Sequence, residues 1–205
     1  MSNGANEQVD KKPSEMKKED LPKTRAFQDK FTRTFLTSTK EVKEGYYSFE
    51  SKSKKYTMSF PSGGQIPQTD YERNEDSYEF IYGEVEYKSN SIGIIRLMYD
   101  ESTTNSSVNM ELSSLKRKVK SEKNFNKREF DKNEIYWMPI GQGKNSYTYA
   151  GYAHPKNGSG SIELIYSEDC NNYGKLCENF SAKSAQKHFE DILLSIKFQY
   201  KEKGN

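Results

Sequence analysis

Apolar and polar residues alternate in two pairs of neighbouring segments in the first half of the chain. Aromatic residues and methionine alternate with polar residues over 47–49 and 56–60, on either side of the polar turn SKSKK. The same alternation recurs in YEFIYGEVEY (78–87) and IGIIRLMYDE (92–101), which the short turn KSN separates. Because a period of two with a tight polar connection is typical of paired strands, the pattern predicts two antiparallel hairpins.

The second half of the chain contains two segments with helical spacing. Met110, Leu112, Leu115 and Val119 fall near one face of a helix over 109–121, and its other face carries lysine and arginine. A second apolar stripe follows Ser181, a residue type that often caps a helix N-terminus. Its members are Ala185, Phe189, Ile192, Leu193 and Ile196.

Four segments between these helices have the composition of strands. They are REF, IYWMPI, SYTYAGYAHP and SIELIYSED, and the glycines of KNGSG favour a hairpin turn between the last two. The segment IKFQY predicts a short final strand. Consecutive strands with short turns favour an antiparallel sheet, so the fold class predicted is α+β, with an antiparallel sheet flanked by helices.

The N-terminal segment differs from the rest of the chain. Residues 1–25 alternate lysine with acidic residues and include Pro13 and Pro22, which predicts a disordered tether, with a solvated helix over 14–20 as the alternative. A single domain is predicted over 26–205. At its start, phenylalanines recur at every fourth position over 27–35, which favours a short helix, although the many threonines there favour a strand.

Composition and charge narrow the class of protein. The chain has 205 residues, of which 32% are hydrophobic, 30% charged and 13% aromatic, so rings must supply much of the core. The net charge of +2 gives no concentrated basic face, which argues against nucleic acid as a partner. No segment has the roughly 20 apolar residues of a membrane span. No apolar segment of a signal peptide follows MSNGANEQ.

Two short segments carry a resemblance to a known superfamily. YTMSFPSGG (56–64) resembles the opening strand of the PsbP-like superfamily, and HFEDILLSIKF (188–198) resembles its closing helix and strand. The resemblance implies a PsbP-like α+β fold. The superfamily includes a photosynthetic oxygen-evolving subunit, a nuclear import factor and many bacterial exported lipoproteins. Its members share no reaction, so it implies no functional residues.

The start of the chain is similar to that of a mature bacterial lipoprotein. Small polar residues, SNGANEQ, and a lysine-rich segment follow Met1, which stands where the lipid-bearing cysteine would be once the signal peptide is removed. This predicts a domain anchored by lipid to the extracellular face of the cell membrane. The alternative is a cytoplasmic protein with a flexible N-terminus, an adaptor resembling the nuclear import factor.

Cys170 and Cys177 are the two cysteines of the chain, and the residues between them favour turns. A disulfide needs Cα atoms within about 7 Å, which a turn-rich loop of this length allows. A disulfide would indicate an oxidising compartment. Free buried thiols and a metal site remain as alternatives, although the spacing is not that of a zinc site or of a Cys-x-x-Cys redox pair.

Two further polar features have a functional and a structural interpretation. His154 ends a predicted strand, but no nucleophile motif accompanies it, which favours a solvated turn histidine. The acidic loop TDYERNEDSYE (69–79) is dense in carboxylates, but it lacks the spacing of an EF-hand, which favours a solvated loop. No metal, cofactor or catalytic residue is therefore predicted.

Aromatic residues on two strand faces are the strongest candidates for a binding surface. Tyr78, Phe80 and Tyr82 share one strand face, and Tyr147 and Tyr149 share another. Exposed aromatic rings on a sheet can bind sugars or a protein partner, whereas buried ones belong to the core.

The sequence therefore favours a non-catalytic binding or accessory module of the bacterial cell envelope. Its partner would be an envelope protein or a wall polymer, and it would contact the membrane only through a lipid anchor. The alternative is an extracellular enzyme that acts on cell-wall carbohydrate, with carboxylates of the acidic loop as its acid and base.

Overall fold

Two antiparallel sheets and two longer helices form the part of the chain that the computed structural model describes, which is residues 11–143, 145–170, 177 and 179–199. The smaller sheet has the strand order β1–β2–β3–β12. The larger sheet has the order β4–β6–β7–β11–β10–β9–β8, and β5 also pairs with β6. The protein thus has a mixed α+β fold that is mostly sheet.

The elements follow one another along the chain with short connections. The helices are α1 (Arg25–Gln28), α2 (Lys30–Arg33), α3 (Val108–Lys118) and α4 (Ala182–Leu193). The strands are β1 (Leu36–Lys43), β2 (Tyr46–Glu50), β3 (Tyr56–Pro61), β4 (Gly64–Gln65), β5 (Tyr71–Asn74), β6 (Tyr78–Glu86), β7 (Ile92–Asp100), β8 (Asn126–Phe130), β9 (Asn133–Gln142), β10 (Ser146–Pro155), β11 (Ser161–Asp169) and β12 (Lys197–Phe198).

Both predicted hairpins are present. In the first, β2 pairs with β3 so that Phe49 lies opposite Met58, and Lys54 in the turn has a φ of 61°. In the second, β6 pairs with β7 so that Ile81 lies opposite Leu97. In each case the alternation of apolar and polar side chains sets the register, because a shift of one residue would turn the apolar side chains to the other face.

The main hydrophobic core lies between the larger sheet, the smaller sheet and α4. We call the face of the larger sheet that contacts this core the inner face. Its apolar residues alternate along the central strands, as Ile95 and Leu97 do on β7 and Leu164 and Tyr166 on β11. Aromatic rings supply much of the contact area, as the composition predicted.

Helix α4 closes one side of this core. Its predicted N-cap is confirmed, because the Ser181 hydroxyl accepts a hydrogen bond from the Ser184 backbone N–H, and the Ser184 hydroxyl accepts one from the Ser181 backbone N–H. The predicted apolar stripe is buried. The helix packs closely on β10, since a Cβ atom at Gly151 would lie 2.8 Å from Leu193 Cδ2 and 2.9 Å from Phe189 Cζ.

Helix α3 packs on the opposite, outer face of the larger sheet. Leu115 of α3 is buried against Met138 of β9 and Ala150 and Tyr152 of β10. The helix was predicted over 109–121 and is observed over Val108–Lys118. It covers the β9–β10 half of the outer face.

The N-terminal part differs from the prediction. Residues 11–25 were assigned to a tether, but they contain two short 3₁₀ turns, and Pro13 and Leu21 are buried. The predicted helix over 27–35 is interrupted at Asp29, which caps α2, and strand β1 begins at Leu36. Threonines favour the strand, as their branched side chains do in general. Residues 1–10 lie outside the described residues.

Among the described residues, no helix is both long enough and apolar enough to cross a membrane.

Candidate functional site

Three of the predicted aromatic residues lie on the outer face, beyond the area that α3 covers. Tyr78, Phe80 and Tyr82 are half-buried on β6, and they alternate with Glu79 and Ile81, which are fully buried on the inner face. Since β6 lies four positions from β9 and three from β10 in the sheet order, α3 does not cover it. These three rings therefore remain partly open to solvent.

The rings of Tyr78 and Phe80 border a groove of about 470 Å³ between the β6–β7 hairpin and α3. Its apolar lining comprises Phe80, Met98, Val119, Ile140 and Ile165. Polar groups stand at its edges. The Arg96 guanidinium lies 5.5 Å from the centre of the Tyr82 ring, and Lys118 forms an ion pair with Glu163, a residue that is 6% exposed. We call this feature the outer-face groove.

Tyr147 and Tyr149 do not belong to this surface, so the five predicted residues do not form one site. Both lie on the inner side of β10. The Tyr149 ring stacks on Phe189 of α4 with centroids 5.2 Å apart, and its hydroxyl donates to the Ala182 carbonyl at 3.1 Å. The Tyr147 ring packs 5.3 Å from that of Phe180. A sequence shows which residues share a strand face, but not which layer covers that face.

The predicted disulfide between Cys170 and Cys177 is confirmed, with Cα atoms 5.8 Å apart. It joins the end of β11 to the segment before α4. The Cys170 backbone N–H also donates to the Asn145 carbonyl at 2.8 Å, and Cys177 Sγ lies 3.6 Å from the Asn90 carbonyl oxygen. Residues 171–176 lie outside the described residues.

His154 is not the solvated turn histidine that the sequence favoured. It is 1% exposed, and its Nδ1 atom lies 2.9 Å from the Gly160 carbonyl oxygen. Its Nε2 atom lies 2.5 Å from Asn105 Oδ1. Both ring nitrogens thus have protein partners, which fixes the ring at the end of β10.

The acidic loop is solvated except at one residue. Glu79 is fully buried and accepts hydrogen bonds from the backbone N–H groups of Lys52 (3.0 Å) and Ser53 (3.1 Å) and from the Tyr71 hydroxyl (3.1 Å). The other carboxylates of the loop are exposed. Within the described residues, no three His, Cys, Asp or Glu side chains are close enough together to hold a metal ion.

A network around Glu168 was missed by the sequence analysis. Glu168 is fully buried, and its carboxylate accepts hydrogen bonds from the hydroxyls of Ser91 (2.5 Å) and Tyr166 (2.6 Å). Nδ1 of His188 lies 2.9 Å from the same carboxylate. Burial, and next the nearby Tyr87 and Glu168, raises the pKa of Tyr166 well above its usual range.

His188 connects this network to a cleft of about 390 Å³ on the surface. Its ring stacks on that of Tyr87 with centroids 3.9 Å apart and an interplanar angle of 2°. Other residues lining the cleft are Tyr46, Ser62, Glu86 and Ser184. A carboxylate that holds one nitrogen of an imidazole beside a cleft can orient the ring for hydrogen bonding or for proton transfer. We call this feature the His188 cleft.

The sequence did hold one signal for this network. In SIELIYSED, Ile162, Leu164 and Tyr166 alternate on the inner face, and Glu168 continues the same alternation. A charged residue at a core-facing position of a strand requires a partner, because an unpaired buried charge is very costly. The partner, His188, lies 20 residues further along, so spacing alone does not identify it.

Comparisons with known proteins agree on a family. A family model described as "Putative lipoprotein YvcA" matches residues 22–197. A protein of Bacillus subtilis (strain 168), also named "Putative lipoprotein YvcA", is 30% identical over 200 residues, covering 91% of this chain and 82% of that protein.

A crystal structure from Bacteroides thetaiotaomicron VPI-5482 gives a weaker match. It is 12% identical, with a TM-score of 0.42, and the match covers 75% of this chain and 48% of that one. A similarity of this size supports no argument about the fold or the function. The family match spans more than half of the chain, and the chain therefore belongs to the family described as "Putative lipoprotein YvcA".

Proposed function

We propose that this protein is a non-catalytic binding module of the bacterial cell envelope, and that it binds a wall carbohydrate in the outer-face groove. One observation carries the proposal. Three aromatic rings of a single strand, Tyr78, Phe80 and Tyr82, are half-exposed on a sheet face that packs against α3 elsewhere. Contiguous exposed apolar surface rimmed by polar groups is typical of an interaction site.

The chemistry of the groove favours a sugar over a purely apolar ligand. Ring faces provide flat apolar surfaces on which the C–H groups of a pyranose can pack, and the polar tip of a tyrosine adds a hydrogen-bonding group. Arg96 at one edge and Thr148 within the groove supply further polar contacts. A groove bordered by one strand pair and one helix also suits an extended chain such as a polysaccharide.

Membrane attachment is part of the proposal. A relative with 30% identity and the family itself are both described as lipoproteins. A lipid at the N-terminus would hold the domain at the extracellular face of the cell membrane, with no other contact to the bilayer. The disulfide between Cys170 and Cys177 supports an extracellular location, because disulfides persist mainly in oxidising compartments.

Titration of soluble wall glycan fragments against the protein by NMR tests the binding site. We expect the amide signals of β6 and β7 to shift. We expect Phe80→Ala and Tyr78→Ala each to weaken binding at least tenfold, because both rings line the groove. Phe130→Ala is the matched control, since Phe130 is an aromatic residue of the same sheet, 39% exposed, at the far edge. Equal affinities of all three variants, or no binding of glycan by the wild type, would refute the proposal.

The His188 cleft supports a second candidate function, an extracellular hydrolase. The supporting observation is the orientation of the His188 ring by the buried Glu168 carboxylate, an arrangement that suits a general base. The acidic loop is less suited to this role, because its buried member, Glu79, is engaged by two backbone N–H groups and a tyrosine. Cleavage of the same glycan fragments by the wild type, with loss in His188→Gln, would favour this function over the non-catalytic one.

A further inference from the structure

Three aromatic rings from separate segments meet in a triangular arrangement. The rings are those of Phe31 on α2, Phe35 just before β1, and Tyr71 at the start of β5. Each pair has centroids 5.4 Å apart, and the interplanar angles are 81°, 63° and 70°. The three rings thus pack edge to face and form one aromatic cluster, which we call the aromatic cage.

The ammonium group of Lys52 lies over the aromatic cage. Its Nζ atom lies 3.8 Å from the centroid of Phe31, 4.7 Å from that of Phe35 and 5.3 Å from that of Tyr71. The negative faces of aromatic rings attract cations at such distances. Burial lowers the pKa of Lys52, and the nearby Glu79 carboxylate opposes that shift.

The walls of the cage are held in place independently of the Lys52 side chain. The Phe35 ring stacks on Phe49 with centroids 4.9 Å apart. The Tyr71 hydroxyl donates to the buried carboxylate of Glu79 at 3.1 Å. The same carboxylate accepts the backbone N–H of Lys52, so it also fixes the turn that carries the lysine. A negative charge therefore lies beside the cage.

We propose that the aromatic cage is a binding site for a quaternary ammonium group, such as a choline headgroup, and that Lys52 fills it until the ligand enters. Within the described residues, no acceptor takes a hydrogen bond from Lys52 Nζ, so the cage does not satisfy the three N–H groups of a primary ammonium. A quaternary ammonium has no N–H group and loses less hydration on entering the cage. Lys52 is half-buried, which leaves one side of the cage open to solvent.

This site is distinct from the outer-face groove. Glu79 alternates with Tyr78 and Phe80 along β6, so the cage lies on the side of β6 opposite to the groove. The inference is therefore independent of the proposed carbohydrate function, and either can fail without the other. Its alternative is a structural one, in which Lys52 contributes only a stabilising cation–π contact within the fold.

Titration with choline distinguishes a binding site from a purely structural contact. Binding to the wild type and to Lys52→Ala is followed by NMR at the amides of Ser53 and Tyr71. We expect Lys52→Ala to bind choline at least tenfold more tightly than the wild type, because the competing side chain is absent. Lys55→Ala is the matched control, since Lys55 lies in the same turn but forms an ion pair with Glu101. It should bind choline as the wild type does.

Two further measurements identify the physical basis of binding. The neutral analogue 3,3-dimethyl-1-butanol has the shape of choline without its charge, and we expect Lys52→Ala to bind it at least tenfold more weakly than choline. Adding Phe31→Leu to Lys52→Ala keeps an apolar wall but removes a ring, and this should abolish the gain. No choline binding by folded Lys52→Ala, or equal binding of the neutral analogue, would overturn the inference.

Discussion

The imidazole of His188 lies flat against the ring of Tyr87 while its Nδ1 atom is 2.9 Å from a carboxylate oxygen of the buried Glu168. This one side chain connects three elements of the fold: α4, which carries it, β11, which carries Glu168, and the connection between β6 and β7, which carries Tyr87. The middle of α4 is thus held to the larger sheet by the polar contact of His188, and the C-terminal half also by apolar packing of Phe189 and Leu193 at Gly151.

The first prediction concerns the charge of Glu168. Glu168→Gln keeps the size of the side chain but leaves one acceptor oxygen for three partners. These are the hydroxyls of Ser91 and Tyr166 and the Nδ1 atom of His188. We expect the free energy of unfolding to fall by about 2–3 kcal/mol, since hydrogen bonds to charged groups are strong and buried donors without partners are costly. Urea denaturation followed by circular dichroism measures this difference.

Glu129→Gln is the matched control for this prediction. Its side chain is 62% exposed and pairs with Lys156 on the surface, so we expect a change within about 0.5 kcal/mol. If Glu168→Gln were as mild as the control, the network around Glu168 would not stabilise the attachment of α4.

The second prediction concerns the packing of α4 on β10. Gly151→Ala would place a methyl group within about 3 Å of Leu193 and Phe189, both buried, so these side chains or the helix that carries them must shift. We expect a loss of about 1–3 kcal/mol, the usual cost of overpacking a core. Gly141→Ala, on the neighbouring strand, is the control, because the new Cβ would meet its nearest atom at 3.9 Å. Equal stability of the two variants in urea would contradict this account.

The elements that were predicted correctly from the sequence depend on patterns within a single short segment. The hairpins and α4 depend on alternation, helical spacing and a cap within one segment, as in the pairing of Phe49 with Met58 or the capping box at Ser181. These signals require no knowledge of the tertiary structure, because a strand or helix with one apolar face must turn that face inward.

The candidate sites depend on relationships between distant segments. Tyr78 and Tyr149 occupy similar positions in alternating strands, yet one lines the outer-face groove and the other lies under α4. Which face of a sheet remains open is decided by where the helices pack. The aromatic cage likewise combines Phe31, Lys52 and Tyr71 from three segments, and no spacing rule connects them.

The third prediction concerns the disulfide. Replacing both Cys170 and Cys177 with serine removes a short covalent loop, and the chain-entropy model gives a loss of roughly 2.5 kcal/mol. Reduction of the wild-type protein should lower its free energy of unfolding by a similar amount, and the reductant should leave the double variant unchanged. If the reductant destabilised both proteins equally, its effect would not arise from this bond.

The last prediction concerns Tyr56, whose ring is fully buried and whose hydroxyl has no hydrogen-bond partner among the residues that the structure describes. Burial, and next the charge of Glu79, raises the pKa of Tyr56 well above its usual value near 10. The folded state therefore favours the neutral phenol. The stability that Tyr56 contributes in this way is complete below about pH 10. It is lost as the pH rises further, because Tyr56 loses its proton in the unfolded chain before it does so in the folded protein.

Tyr56→Phe removes this hydroxyl without removing the ring. At neutral pH we expect the free energy of unfolding to stay the same or to rise by about 1 kcal/mol, because a buried hydroxyl without a partner is unfavourable. Between pH 10 and 11, the stability of the variant should fall less steeply than that of the wild type. Tyr166→Phe provides the contrast, since its hydroxyl donates to Glu168 at 2.6 Å and its loss should destabilise the fold at neutral pH. A loss in Tyr56→Phe as large as that in Tyr166→Phe would show that the Tyr56 hydroxyl has a partner in solution.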